Sequence, residues 1–286
     1  MNTHFSVSTV AYSGHPIELA LDSLARIGVK NIELALIQGA IYGLTEDDVS
    51  IENANEIKQL LDQRNMQCTS LAAHCHMTIA NCDEQLYKRV QLTHLLDCPR
   101  LILYAPRDGS LFEFQQHAKR AISFAESVNV KILIENVGDT KPYMLNDSND
   151  FIPVLQQFDS SALGINFDPG NLASHRPNHD LLNETLRSVD HVEHIHIKDL
   201  VLNKDSYEFC SIGKGICHYT EFFSLTCDKA LPFYSLELPF ALIRNTDGST
   251  YLKPKDELLT IAEIESRLIE SIFACKSEPV PFANIG

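Results

Sequence analysis

The sequence predicts an α/β protein that folds as a single (β/α)8 TIM barrel. Apolar strand-like segments alternate with amphipathic helix-like segments from end to end, eight of each. Such strict alternation requires a parallel sheet with right-handed crossovers. The length of 286 residues suits one barrel of roughly 250 residues. Since no linker divides the chain and no GxGxxG motif favours an open sheet, we predict one domain over residues 1–286.

The predicted strands are short apolar runs. They are 5–10, 31–35, 68–73, 101–105, 131–135, 162–168, 191–197 and 233–237. The predicted helices are 16–27, 54–64, 84–96, 111–128, 149–158, 180–188, 219–227 and 257–275. Pro16 suits a first helical turn, Gly28 a helix C-cap, and Asn149 and Asp180 helix starts. The long, turn-rich segment 239–256 is a candidate lid over the barrel mouth.

Charge and cysteine content exclude several classes of function. The formal net charge is −15, and a surface this acidic repels the phosphate backbone of nucleic acids. No apolar stretch approaches the roughly 20 residues of a membrane span, and the N-terminus lacks the features of a signal peptide.

The eight cysteines contain no CxxC pair, which favours reduced thiols. We predict a cytoplasmic protein with no nucleic-acid or membrane partner.

Four predicted strands each end in a residue that can bind a metal: Glu135, Asp168, His196 and Glu237. The carboxyl ends of barrel strands meet at one mouth, so these side chains are expected to converge where such barrels do chemistry. One carboxylate at a strand end is often only a helix N-cap. Several buried together are costly unless they are paired or metal-bound. This mostly hard ligand set favours one divalent Mn²⁺, Mg²⁺ or Co²⁺ ion and admits Zn²⁺.

The segments IEN, FDPGN, HIHIKD, GKG and SLELP, in this order and spacing, resemble the xylose isomerase-like TIM-barrel superfamily, in particular its sugar-phosphate isomerase/epimerase branch. The resemblance implies one metal held by Glu135, Asp168, His196 and Glu237, with Glu135 and Glu237 as the acid/base pair on opposite faces of the substrate. It implies isomerisation or epimerisation of a ketose-type sugar or sugar phosphate. Metal chelation stabilises an enediolate, so no organic cofactor is required. A homo-oligomer is a candidate assembly, because oligomers are common in similar proteins.

Five further residues are candidate substrate contacts. His74 ends the third predicted strand, where the family commonly has a histidine that contacts substrate oxygens. Lys198 resembles the family's HxKD element and points at the mouth. Glu33 on the second strand is expected to face the mouth, Arg107 to contact an anion, and Asn171 to hydrogen-bond a hydroxyl.

Two positions depart from the family's pattern. Asn171 stands where several members have a histidine, and Leu202 where the ketose 3-epimerases have an arginine. Both differences weaken the transfer of any particular epimerase specificity. His194 is expected to fill the interior one layer below the site, and Gly213 and Gly215 to shape the turn before the seventh helix.

Four alternative activities have distinguishing features. A metal-dependent dehydratase of the inosose or 3-dehydroshikimate type shares the metal and the proton abstraction, and is separated by its ultraviolet-absorbing product. An endonuclease IV-like phosphodiesterase needs a DxH element that is not found after strand seven. A full xylose isomerase needs more carboxylates than can be placed. The intact Glu135 and Glu237 argue against a non-catalytic sugar-binding barrel.

Overall fold

The computed structural model describes residues 5–138 and 141–276. Its strands are β1 (Phe5–Ser8), β2 (Asn31–Ala35), β3 (Gln67–Ala72), β4 (Arg100–Leu103), β5 (Lys131–Glu135), β6 (Leu163–Phe167), β7 (His194–Ile197), β8 (Asp199–Asn203), β9 (Ser206–Cys210), β10 (Phe233–Leu236), β11 (Leu242–Asn245) and β12 (Thr250–Leu252). Its α-helices are α1 (Ile17–Arg26), α2 (Ile51–Gln63), α3 (Cys82–Leu95), α4 (Leu111–His117), α5 (Lys119–Ser127), α6 (Phe151–Gln157), α7 (Pro169–His175), α8 (Leu181–Ser188), α9 (Tyr219–Leu225) and α10 (Ile261–Ala274). Short 3-10 helices span Thr9–Tyr12, Ser148–Asp150 and Lys255–Glu257.

Eight parallel strands, β1 to β7 and β10, close into a barrel. The strands follow chain order around the ring, and β10 closes it between β7 and β1. At this closure Ser235 pairs with His196 on one side and with Ser6 on the other. The predicted (β/α)8 fold is therefore confirmed.

The barrel strands present an apolar outer face and a more polar inner face, as alternation along a strand requires. On β5 and β6 the outward Ile132, Ile134, Ile165 and Phe167 are buried in the main hydrophobic core beneath the helices. Burial of each such side chain contributes roughly 1.5–3 kcal/mol. The outer layer thus stabilises the barrel, which leaves the inner face of the strand ends available for polar side chains.

The helices differ from the sequence-based boundaries in several places. The predicted helix 111–128 is two helices, α4 and α5, which meet at Ala118. Asn149 lies in a 3-10 turn that precedes α6, so it does not begin that helix. The short helix α7 was not predicted; Asp168 is its N-cap and Pro169 its first residue, the usual places for these two residue types. Asp180 caps α8 as predicted.

A second, antiparallel sheet of four strands has the order β12-β11-β9-β8. The strand β8 begins two residues after β7 ends, and β9 returns beside it. The segment 239–256, predicted as a loop, holds β11 and β12, and β11 pairs with β9. This part of the chain is therefore ordered by sheet pairing. No helix in the described ranges is long and apolar enough to cross a membrane.

The turn around Gly213 and Gly215 is anchored by a carboxylate. Asp199 accepts hydrogen bonds from the backbone N–H groups of Gly213, Gly215 and Cys217, at 2.9, 3.0 and 3.1 Å. A Cβ atom at Gly215 would lie 2.2 Å from the Asp199 carboxylate, and Gly213 has a φ of +81°. Both glycines are thus required by the shape of this turn, as the sequence predicts.

Candidate metal centre

The four predicted ligands lie at the carboxyl ends of β5, β6, β7 and β10, inside the mouth of the barrel. Glu135, Asp168 and His196 are fully buried, and Glu237 is 4% exposed. His196 Nδ1 lies 3.1 Å from Glu135 Oε2 and 3.5 Å from Glu237 Oε2. One ligand atom each of Glu135, Asp168 and His196 fits within 4.8 Å of the others. The sequence-predicted set is therefore brought together in space.

A lysine ammonium lies among these carboxylates. Lys198 Nζ is 2.5 Å from Asp168 Oδ2 and 2.6 Å from Glu237 Oε2. Burial disfavours its charge, but Asp168 and Glu237 outweigh that effect and raise the pKa of Lys198 above its ordinary value. The same contact matters for Glu237: burial opposes its ionisation, yet Lys198 and His196 hold its pKa below the usual range.

The donor set fits a divalent cation. Asp168 Oδ1 caps α7 by accepting from the Asn171 N–H, whereas its buried Oδ2 accepts no well-aligned hydrogen bond among the described residues. Burial raises the pKa of Glu135 to about 7, against the opposing effect of His196 and with help from Asp168 and Glu237. Negative charge thus exceeds what the protein's own cations neutralise. Carboxylate oxygens with one imidazole suit Mn²⁺, Mg²⁺, Co²⁺ or Zn²⁺.

A second histidine and carboxylate pair lies one layer deeper. Glu33 Oε2 lies 3.0 Å from His196 Nε2 and accepts from Ser70 Oγ at 2.9 Å. His194 contacts Asn166 Oδ1 through Nδ1 at 2.7 Å and Ser235 Oγ through Nε2 at 3.0 Å. Burial lowers the pKa of His194 well below its usual value, so this ring is neutral. His194 is the interior filler that the sequence predicts.

His74 and Arg107 occupy different depths of the mouth. His74 is nearly buried, stacks on Tyr104 with ring centroids 4.0 Å apart, and places Nε2 3.5 Å from Glu135 Oε2. Burial lowers the pKa of His74 to about 3, so its ring is neutral at physiological pH. Arg107 is exposed and lies 4.5 Å from the centre of the Tyr143 ring. His74 is adjacent to the predicted ligands, and Arg107 is farther out, on the loop after β4.

The side chains of Asn171 and Glu33 are hydrogen-bonded to other residues of the protein and are not open to the barrel mouth. Asn171 Nδ2 donates to Glu135 Oε1 at 2.8 Å and to the Asn136 carbonyl at 2.9 Å. Glu33 is fully buried beneath His196. Neither side chain points freely into the mouth as a substrate contact would. The bulge between Ile32 and Glu33, which places Glu33 opposite Ser70, accounts for the position of Glu33.

Two residues of the site were not predicted. Asn166 Nδ2 donates to Glu135 Oε2 at 2.9 Å and lies 3.1 Å from His196 Nδ1. Arg244, on β11, places Nη1 and Nη2 each 3.2 Å from Asn171 Oδ1. Asn166 could have been inferred, because it shares a strand face with Asp168. Arg244 carried no local signal, since its partners lie about 70 residues earlier in the chain.

Comparison with known proteins agrees with this geometry. The family model described as xylose isomerase-like TIM barrel matches residues 21–229. The chain belongs to this family. A search of curated proteins finds no match.

Solved structures share the fold at low sequence identity. D-psicose 3-epimerase of Clostridium cellulolyticum H10, solved with D-tagatose, has a TM-score of 0.68 and 12% identity, and covers 96% of this chain and 99% of its own. The 3-keto-D-glucoside 4-epimerase YcjR of E. coli has a TM-score of 0.64, 12% identity and coverages of 96% and 99%. The probable 3-DHS dehydratase AsbF of Bacillus anthracis has a TM-score of 0.55, 17% identity and coverages of 92% and 98%.

Proposed function

We propose that this protein is a metal-dependent isomerase or epimerase of a ketose-type sugar or sugar phosphate. One observation carries the proposal: three buried carboxylates and an imidazole converge at the strand ends of a xylose isomerase-like barrel. The similar solved epimerases support this class of substrate. A bound divalent ion would supply the positive charge that stabilises an enediolate formed from the substrate.

Glu135, Asp168, His196 and Glu237 would hold the metal. In Asp168 and His196 one polar atom is fixed by the protein and another is left to face the metal. Asp168 Oδ1 caps α7, and His196 Nε2 contacts Glu33. Glu33 is a positioning residue in this scheme. By engaging Nε2 it directs Nδ1 towards the carboxylates, which fixes the ring atom that is available to a metal.

Glu135 and Glu237 would transfer the proton. They belong to β5 and to the end of β10, strands separated in the ring by β6 and β7, so they approach the space beside His196 from two sides. Lys198 donates to Glu237 at 2.6 Å, whereas Glu135 accepts from the amides of Asn166 and Asn171. Glu237 therefore lies beside a cation and Glu135 beside neutral amides, and the pKa of Glu237 is lowered whereas that of Glu135 is raised. Such a difference suits one acid and one base.

His74 and Lys198 would contact the substrate. The His74 ring, neutral and stacked on Tyr104, lies beside the proton-transferring Glu135 and can donate or accept a hydrogen bond with a hydroxyl. The Lys198 ammonium can stabilise negative charge on a substrate oxygen while it remains close to Glu237. Arg107, on the loop after β4, remains a predicted contact for a distal group of the substrate.

Deuterium wash-in tests this proposal. Metal-loaded protein in D₂O would be incubated with ketoses, ketose phosphates and inososes, and the products examined by NMR. The proposal expects deuterium at a single carbon next to the carbonyl of an accepted substrate. A conjugated, ultraviolet-absorbing product would assign the dehydratase alternative. Absence of exchange on the whole panel, from protein shown to bind metal, would count against proton abstraction.

A further inference from the structure

The buried guanidinium of Arg244 lacks a counter-charge. Arg244 is 7% exposed, and its Nη1 donates to Ser174 Oγ at 2.6 Å and to Asn171 Oδ1 at 3.2 Å. Both acceptors are neutral. Among the described residues no carboxylate oxygen lies within 4.0 Å of this guanidinium.

In the described part of the chain, the other buried arginine and lysine side chains are paired with carboxylates. Arg89, which is fully buried, contacts Glu46 at 2.7 Å, and Lys198 lies between Asp168 and Glu237. Removing a charge from water without a partner costs several kcal/mol. The Phe209 ring, whose centre lies 5.9 Å from the guanidinium carbon, offsets only part of this cost for Arg244. An anion from outside the chain would supply the counter-charge that Arg89 and Lys198 have within the fold.

The open donors of Arg244 have the geometry of an anion fork. Nε is buried and has no hydrogen-bond partner among the described residues, and Nη2 uses only one contact, to Asn171 Oδ1. Nε–H and one Nη2–H point in parallel along the same edge of a guanidinium. That edge matches two oxygens of a carboxylate or a phosphate.

Arg244 is also adjacent to the metal centre. Asn171 links the two, because its Oδ1 faces Arg244 while its Nδ2 donates to Glu135 Oε1 at 2.8 Å. Lys198 Nζ lies 3.4 Å from the same Asn171 Oδ1. Two cations thus share one neutral oxygen on the side of the mouth formed by the second sheet.

We propose that Arg244 recognises an anionic substituent of the substrate, a carboxylate or a phosphate, while the metal centre holds its ketose end. This inference rests on the proposed function, since it places a sugar in the same mouth. It assigns the substrate to acidic sugars in preference to neutral ketoses, and makes β11 a determinant of specificity.

Binding calorimetry on the metal-loaded protein tests the inference without turnover. The probes are a neutral ketohexose, its terminal phosphate ester and the keto acid of the same length. We expect one acidic probe to bind about 10–100-fold more tightly than the neutral sugar, because hydrogen bonds to charged groups are the stronger ones. The tighter of the two acidic probes identifies the anion as phosphate or carboxylate.

Two variants of Arg244 and one control complete the test. In Arg244→Gln the preference for the acidic probe should vanish, while the affinities for the neutral sugar and for Mn²⁺ should change less than about twofold. Arg244→Lys keeps the charge but loses the two parallel N–H donors, so it should retain part of the preference for the acidic probe. Arg120→Gln, an exposed arginine beside Tyr87, should match the wild type. Equal affinity of the wild type for all probes, or equal loss for neutral and acidic probes in Arg244→Gln, would overturn the inference. Since no step requires deuterium exchange, a failure of the proton-transfer proposal would be seen separately.

Discussion

Two groups of histidine and carboxylate side chains lie one above the other inside the barrel and share His196. The upper group is Glu135, Asp168, His196 and Glu237; the lower group is Glu33 and His194 beneath the same imidazole. Both bring three potential ligand atoms within 4.8 Å. In the lower group both ring nitrogens of His194 have protein partners, whereas in the upper group carboxylates outnumber the cations beside them.

This difference shows that proximity of ligand types does not by itself define a metal site. Binding a metal at His194 would require the loss of its bonds to Asn166 or Ser235, each worth about 0.5–1.5 kcal/mol. The Asp168 oxygen that faces the site, Oδ2, lies 2.5 Å from the Lys198 ammonium and has no well-aligned hydrogen bond from any residue that the structure describes. We therefore expect the lower group to support the upper one, and substitutions in each group separate the two roles.

The largest expected effect is on proton transfer. Glu135→Gln preserves the shape of the side chain but removes one of the two carboxylates proposed to transfer the proton, so exchange should fall by about 10²–10⁴-fold. The rate of deuterium wash-in by NMR measures this, with Ser70→Ala in the lower layer as the matched control. Near-normal exchange in Glu135→Gln would remove this residue from the proton-transfer step.

A second prediction concerns the support that Glu33 gives to His196. Glu33→Gln should weaken Mn²⁺ binding by about 10–100-fold, because a weaker partner at Nε2 orients the imidazole less well and lowers its basicity. Calorimetric titration measures the affinity. Ser70→Ala, which deletes the hydroxyl donor to Glu33 Oε2 and leaves the carboxylate in place, should have a smaller effect. If Glu33→Gln binds Mn²⁺ as the wild type does, Glu33 does not position the ligand.

A third prediction concerns stability. His194→Asn in the lower group leaves Asn166 or Ser235 without its present partner, so the free energy of unfolding should fall by about 1–3 kcal/mol. Urea denaturation of the metal-free protein measures this. The same experiment on Asp168→Asn, which keeps an oxygen to cap α7 and leaves Lys198 paired with Glu237, should show a smaller loss or a gain, since removing one acid relieves repulsion in the upper group. The opposite ranking would assign the structural role to the upper group.

The smallest expected effect comes from a pair outside both groups. Lys253 Nζ donates a hydrogen bond to Glu208 Oε2 at 3.0 Å, and this bond outweighs the opposing effect of burial and lowers the pKa of Glu208 below its usual value. A lowered folded-state pKa stabilises the protein above the unfolded-state value, and this contribution is lost as pH falls through the folded-state value. Urea denaturation should show that Glu208→Gln costs under about 1 kcal/mol at neutral pH, and that this cost disappears at acidic pH, where the wild-type carboxyl group is protonated. A constant cost across pH would rule out the ion pair as its cause.

Much of the fold and the convergence of the upper group were predictable because both depend on local pattern. Strand and helix alternation predicted the barrel, and a polar residue at each of four strand ends predicted the upper group. The short helix α7 was missed although Asp168 and Pro169 form a usual N-cap and first turn. The second sheet was missed because β8 follows β7 after a single residue, Lys198, so no turn separates two apolar runs.

The roles of Glu33, Asn171 and Arg244 depended on contacts that local pattern does not encode. A bulge in β2 places Glu33 beside Ser70, and alternation alone does not predict such a shift. Asn171 and Arg244 meet across 73 residues of chain, through the pairing of β11 with β9. Sequence could therefore indicate which polar residues meet at the barrel mouth, whereas the packing of distant segments decides which side chains contact them.

Calorimetric titration of Mn²⁺ into the metal-free protein tests the central claim most directly, when it is carried out on the wild type, Asp168→Ala and His194→Asn. We predict that the wild type and His194→Asn each bind one ion per chain, with affinities within about threefold of one another. Asp168→Ala should bind Mn²⁺ at least about 100-fold more weakly, since the loss of a metal ligand costs no less affinity than the loss of a residue that orients a ligand. Wild-type affinity in Asp168→Ala, or loss of the ion in His194→Asn alone, would contradict the assignment of the metal to the upper group.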